Sequence, residues 1–208
     1  MIAKPDKTQA AKIISREKIF DGFHTLEIIR LQPRSLRHDG FAAEMTRDYF
    51  SCRPYAAVLL YIPETDEILL NEQFRVGAYM AGADNPFLFE CAAGMIDDGE
   101  TPEQAARRET QEETGCRVLA LEPIGSFFTS PGSIDEKAHL FIGRIGRPDK
   151  GDIFGMEEEG EEIRTHLFPS ETVIAMLDRQ EITNVSAAIT IHWFARNKKR
   201  LLQKWLDQ

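Results

Sequence analysis

The stretch GETPEQAARRETQEETG, Gly99 to Gly115, is marked as a helix at both ends. Thr101 suits the N-cap, Pro102 suits the first helical position, and Gln104 completes a T-x-x-Q capping box. Gly115 fits the stop, where a left-handed residue closes the last turn. Glu109, Glu112 and Glu113 share a face near the helix C-terminus. Like charges at that spacing cost roughly 0.2–0.5 kcal/mol per pair, and the negative end of the helix dipole disfavours them further. A solvated face is the ordinary outcome of a charge run. Here no lysine is interspersed, the helix follows the glycine-bounded loop AAGMIDDGE, and Glu100 adds a carboxylate just before the start. Converging carboxylates are what a hard cation such as Mg²⁺ requires, and a bound cation offsets their repulsion.

The remaining chain supplies the frame. Two alternating stretches, KIISREKIFDGFHTLEIIRLQP and GFAAEMTRDYF, read as strands separated by the turn signals QPRSLRHDG. Residues 1–50 are therefore expected to form a small β-rich N-terminal subdomain, with the first dozen residues polar, and residues 51–208 the main domain. YAAVLLYI (55–62) and EILLNEQF (67–74) read as strands joined by PETD. A loop, GAYMAGADNP, and one short apolar strand, FLFECAAG, follow. Beyond the acidic helix, VLALEPIGSFFTSPG, KAHLFIGRIG and IRTHLFP read as strands, and DKGDIFGMEEEGEE as an acidic loop. SETVIAMLDRQ reads as a capped amphipathic helix, and NVSAAITIHWFARNKKRLLQKWLD as a long C-terminal helix with its basic residues late, where the dipole favours them. Strands mixed with helices predict an α/β sandwich around a mixed sheet.

At 208 residues and 42% apolar content the chain can bury a full core. A formal net charge of −9 argues against nucleic acid or an anionic membrane as partner, while a polyanionic small substrate remains open if a metal ion mediates its binding. Cys52, Cys91 and Cys116 form no CxxC pair and read as reduced thiols in a cytoplasmic protein. No apolar run approaches the roughly 18 residues of a membrane span. The five histidines show no ligand spacing and are assigned no chemistry.

GMIDDGETPEQAARRETQEETGC resembles the Nudix box: Gly, five residues, Glu, seven residues, Arg-Glu, an aliphatic, any residue, Glu-Glu, any residue, Gly, an aliphatic. Gly94, Glu100, Arg108, Glu109, Glu112, Glu113 and Gly115 fall in register, while Thr110 and Cys116 stand where aliphatics are usual. The resemblance implies a Nudix α/β/α sandwich and hydrolysis of a nucleoside diphosphate linked to another moiety. It implies Glu109 and Glu113 as principal ligands of Mg²⁺ (Mn²⁺ being the alternative ion), Glu112 as a ligand or supporting group, the carbonyl of Ala93 as a further oxygen, and Glu100 in support. Arg108 would orient the carboxylates.

Ser130-Pro131-Gly132, with Pro131 sixteen residues after Gly115, is by itself a turn signal. In this superfamily such a proline resembles the mark of ADP-ribose pyrophosphatases, and hydrolases of GDP-mannose can show a similar triplet. RDYFSCRPYAAVLL, LNEQFRVGAY and EEEGEEIRTH extend the likeness over most of residues 15–195. By that likeness the acidic loop supplies the general base, Glu159, with Glu162 its nearest competitor and Glu161 a closing metal ligand. Arg75 would contact phosphate, Arg47 and Asp48 would frame adenine or ribose, and Phe23 would stack on the base. The products expected from ADP-ribose are AMP and ribose 5-phosphate. The N-terminal subdomain would reach across to a second copy in a swapped homodimer. Two readings compete: a hydrolase of another nucleotide sugar such as GDP-mannose, and a catalytically silent ADP-ribose sensor, against which the intact carboxylates argue.

Overall fold

The computed structural model of the protein describes residues 10–148, 153–155 and 160–206. These fold as two compact units. The described residues up to Arg53, together with Phe128–Glu136, form one, and Pro54–Phe127 with the described residues from Lys137 onward form the other.

The first unit is an antiparallel sheet in the order β1 (Ala11–Asp21), β2 (Thr25–Pro33), β3 (Met45–Ser51). Asp21 pairs with Thr25 across a tight turn, and two bulges interrupt the β1–β2 ladder between Ile13 and Ser15 and between Lys18 and Phe20. Bulges and charge on an edge strand discourage unwanted pairing. The later segment returns to β3. Phe50 donates its N–H to the Ser133 carbonyl at 2.8 Å, and Asp135 accepts from the Cys52 N–H at 2.7 Å and from the Tyr49 hydroxyl at 2.5 Å.

The second unit is built on an eight-stranded mixed sheet. Its path is β10 (Ile153–Phe154), β11 (Ile163–Pro169), β5 (Glu67–Phe74), β4 (Tyr55–Ile62), β9 (Lys137–Ile145), β8 (Val118–Phe128), with β6 (Phe87–Glu90) on β5 and β7 (Ala92–Met95) on β4. β4 pairs parallel with β9 and antiparallel with β5. It is nearly continuously apolar because both its faces are covered. Ala57, Leu59 and Tyr61 join one core cluster with α3 (Ser170–Asp178) and α4 (Val185–Leu206), while Ala56, Val58, Leu60 and Ile62 join a second with α2 (Pro102–Thr114). This is the α/β/α arrangement expected above.

Three local readings are corrected. The expected loop after β5 contains a short helix, α1 (Val76–Met80), which has no side-chain cap and no buried residue and so leaves no signal in the sequence. FLFECAAG is two strands divided at Cys91, because its halves pair with different neighbours, β5 and β4. The acidic loop contains β10, where Ile153 and Phe154 pair with Arg164 and Ile163.

Candidate active site

Local sequence sets α2. The Thr101 hydroxyl accepts from the Gln104 N–H at 3.2 Å, the Gln104 carbonyl oxygen accepts from the Thr101 N–H at 2.8 Å, and Gly115 closes the helix at φ 66°. Ala105, Ala106 and Thr110 anchor its inner face, and that anchoring turns Glu109 and Glu113 toward the sheet rather than the solvent.

Glu113 is only 5% exposed. Its Oε2 accepts from the backbone N–H of Ala93 at 2.9 Å and from the Asn71 side-chain amide at 2.8 Å. Burial, helped by the charges of Glu109 and Glu161, pushes its carboxyl up to about 8, while the Ala93 N–H and Arg75 act in the opposite direction. Glu109 is raised too, first by burial, with Arg108 opposing. Gly94 makes room for it: a Cβ there would stand 2.0 Å from the Glu109 carboxyl carbon and 2.1–2.4 Å from its oxygens. Gly94→Ala is therefore expected to displace the carboxylate at little cost to the fold. The thermal midpoint should imply a loss of about 1 kcal/mol or less, because a flexible side-chain end gives way. Hydrolysis should fall on the order of 10²-fold, the effect of an ångström-scale misplacement.

Arg108 is the hub. Its guanidinium donates to Glu100 at 2.9 and 3.0 Å, Glu109 at 2.6 Å, Glu112 at 3.0 Å and the Met95 carbonyl at 2.9 Å. Hydrogen bonding to Arg108 holds the Glu100 carboxyl below the usual range. Arg108 so engages three of the box carboxylates, and amide donors engage the fourth. Among the described residues no three His, Cys, Asp or Glu side chains converge in a ligating group.

Arg75 turns to Glu90, donating through Nε at 2.9 Å and Nη2 at 2.5 Å. Glu90 is buried and also accepts from Asn184, just before α4, at 3.0 Å. Glu161 accepts from the Gln73 amide at 2.5 Å. Gly155, at φ +103°, lets the backbone pass the Glu161 carbonyl, which a Cβ would meet at 2.5 Å. Glu162 is exposed. It lines a cleft of about 620 Å³ together with Gln73, Phe74, Phe87, Phe154 and Glu161. Glu109 and Glu113 are not on the walls of that cleft, and Gln73 and Glu161 are what it shares with the carboxylate cluster. Glu159 lies outside the described residues.

Phe23, Arg47, Asp48, Ser130, Pro131 and Gly132 all belong to the first unit. Phe23 is 78% exposed against the His24 ring, Arg47 donates to the Thr46 carbonyl at 2.8 Å, and Asp48 pairs with Ile28 on β2. The Ser130 carbonyl accepts from the N–H groups of Ser133 and Ile134, so the triplet is a turn here.

Sequence reasoning missed Asn71, Gln73, Glu90 and Asn184. The first two left a trace: in EILLNEQF they continue the face of Leu69, so amides stand where a buried strand face ordinarily takes apolar side chains.

A NUDIX domain model matches residues 53–190. The ADP-ribose pyrophosphatase of Escherichia coli (strain K12) is 35% identical over 195 residues, covering 93% of this chain and 92% of that protein. The GDP-mannose pyrophosphatase of Cronobacter sakazakii is 39% identical over 130 residues, covering 61% of this chain and 66% of that protein. A solved structure described as an ADP compounds hydrolase superposes with a TM-score of 0.70 over 91% of this chain and 96% of its own, at 17% identity, and so shares the fold. A family match spanning the acidic helix and the sheet beneath it, with a relative alike over nearly its whole length, shows that the chain belongs to the Nudix family.

Proposed function

We propose that this protein hydrolyses the pyrophosphate bond of ADP-ribose, giving AMP and ribose 5-phosphate. The observation that carries the reading is the likeness to an ADP-ribose pyrophosphatase along 93% of the chain, with every box carboxylate in place. The GDP-mannose pyrophosphatase matches a shorter span, 61% of the chain. That reading is the alternative. The silent sensor is disfavoured because Glu109 and Glu113 are both present.

The all-carboxylate donor set has the chemistry that a hard divalent cation takes, proposed as Mg²⁺, and the side chains would draw together on binding it. Burial and the nearby charge of Glu161 push the carboxyls of Glu109 and Glu113 up, and Gly94 leaves room for the Glu109 carboxylate against β7. These three carboxylates would hold it, with Glu112, Glu100 and the Ala93 carbonyl in support. When bound, the cation neutralises pyrophosphate charge and lowers the pKa of a water. Arg108 restrains Glu100, Glu109 and Glu112 in one cluster. Arg75, whose charge is felt at Glu113, would turn from Glu90 to a substrate phosphate. A carboxylate of the acidic loop, Glu159 or the exposed Glu162, would take the proton from the attacking water. The remaining substrate contacts are proposed at Phe23, Arg47, Asp48 and the Ser130–Gly132 turn.

The test is AMP release from ADP-ribose beside GDP-mannose with Mg²⁺. The highest kcat/KM on ADP-ribose supports the reading, a preference for GDP-mannose replaces it with the alternative, and binding without cleavage leaves the sensor. The β-rich segment, residues 1–50, is proposed to join a homodimer. Ile13, Ile19 and Phe20 are exposed on its edge strand β1. Sedimentation equilibrium showing only monomer at micromolar concentration would refute this. No helix of the described residues is long and apolar enough to cross a membrane. The proposed compartment is the cytoplasm, supported by three free thiols, and detection only in an extracellular fraction would count against it.

A further inference from the structure

Two side-chain amides stand two residues apart on one face of β5. Asn71 and Gln73 follow Leu69, which packs in the core cluster that contains α2. The strand spacing separates them by about 7 Å. Each donates to a single carboxylate oxygen from a different element: Asn71 Nδ2 to Glu113 Oε2 of α2 at 2.8 Å, and Gln73 Nε2 to Glu161 Oε1 beside β11 at 2.5 Å. Both donors that Glu113 accepts from, Asn71 and the Ala93 N–H, reach the same oxygen, Oε2.

Asn71 is 2% exposed, and its carbonyl oxygen is buried with no hydrogen-bond partner among the described residues. A buried acceptor without a donor carries a desolvation penalty. Leucine or valine on this strand face would avoid it and extend the apolar stripe. An amide here therefore works against the fold, and the contact that accounts for it is the grip of Nδ2 on Glu113.

We infer that Asn71 and Gln73 are positioning residues, which fix one oxygen each of Glu113 and Glu161 and leave the opposite oxygen of each to the cation. The inference rests on reading those two glutamates as cation-holding groups. Donors behind a ligand hold its orientation before the ion arrives, and removing such a donor typically weakens metal affinity about 10–100-fold.

The test uses the full chain, with Mn²⁺ as probe ion and free Mn²⁺ read by electron paramagnetic resonance, without substrate. Asn71→Leu and Gln73→Leu should each raise the Mn²⁺ dissociation constant about 10–100-fold. The Mn²⁺ concentration for half-maximal hydrolysis should rise in parallel, and kcat at saturating Mn²⁺ should fall by less than about tenfold. The thermal midpoint of metal-free Asn71→Leu should shift little, since removal of an unpaired acceptor offsets the donor lost to Glu113, whose Oε2 keeps the Ala93 N–H. Should that variant not fold, Asn71→Thr keeps a strand-forming side chain whose hydroxyl is too short to reach Glu113. A Mn²⁺ affinity within twofold of wild type in folded variants at both positions overturns the inference, as does a loss confined to kcat. If Glu113→Gln itself binds Mn²⁺ like wild type, the reading of the site fails instead, and the two failures are told apart.

Discussion

Replacing Glu113 with glutamine should raise the thermal midpoint of the metal-free protein while removing nearly all hydrolysis. The carboxyl is buried and held up to about 8. Its unfolded counterpart ionises near the ordinary value of 4.5. The folded state therefore keeps a proton that the unfolded chain gives up between those values. Its contribution is favourable below about pH 4.5 and is lost as pH rises through 8, a swing on the order of 5 kcal/mol. Glutamine abolishes that titration and still offers an oxygen to Asn71 and Ala93. The gain should be about 4–5 kcal/mol near pH 8.5, or roughly 8–20 °C for a chain of this size, and should vanish near pH 4. Added Mg²⁺ should stabilise wild type and not the variant, since a ligand that binds only the folded state raises its stability by mass action. The turnover lost should be at least about 10³-fold, equivalent to about 4 kcal/mol of activation free energy. Calorimetry at pH 4 and 8.5, beside AMP release, checks both halves. A midpoint that falls at both pH values would show that Glu113 is structural.

The second large effect is expected at Arg108. Replacing it with alanine leaves Glu100, Glu109 and Glu112 facing one another and frees the Met95 carbonyl. Breaking a buried pair costs about 3–5 kcal/mol; with Arg108 31% exposed, about 2–3 kcal/mol is expected. Arg108→Lys should recover less than half of it, because one ammonium cannot reproduce a planar fork that reaches four acceptors. Hydrolysis should fall about 10²–10³-fold in the alanine variant, since Glu109 loses its restraint. Part of the stability loss should return with Mg²⁺, which supplies positive charge to the same carboxylates. A denaturant melt with and without Mg²⁺ measures this, and an unchanged midpoint in Arg108→Ala would refute the hub.

Glu109, Glu112 and Glu113 were legible because a helix converts sequence spacing directly into a shared face. The ends of α2 were legible because capping needs only residues within a turn of one another: Thr101, Gln104 and Gly115. β4 was legible because a run such as YAAVLLYI suits a strand covered on both sides. In each case the cause lies close in the chain to its effect.

What only the tertiary structure decided joins residues far apart in the chain. Asn71 meets Glu113 and Gln73 meets Glu161 because β5 lies between β4 and β11 and beneath α2. Arg75 is bound to Glu90, and Glu90 to Asn184, because β6 pairs with β5. The division of FLFECAAG at Cys91 follows from the choice of neighbours, and the Ser130–Gly132 segment joins the first unit through Asp135 and Ser133. An amide in a strand carries no local sign of the carboxylate it will hold. Its partner is set by strand order and register, and those depend on burying the apolar faces of the whole sheet at once.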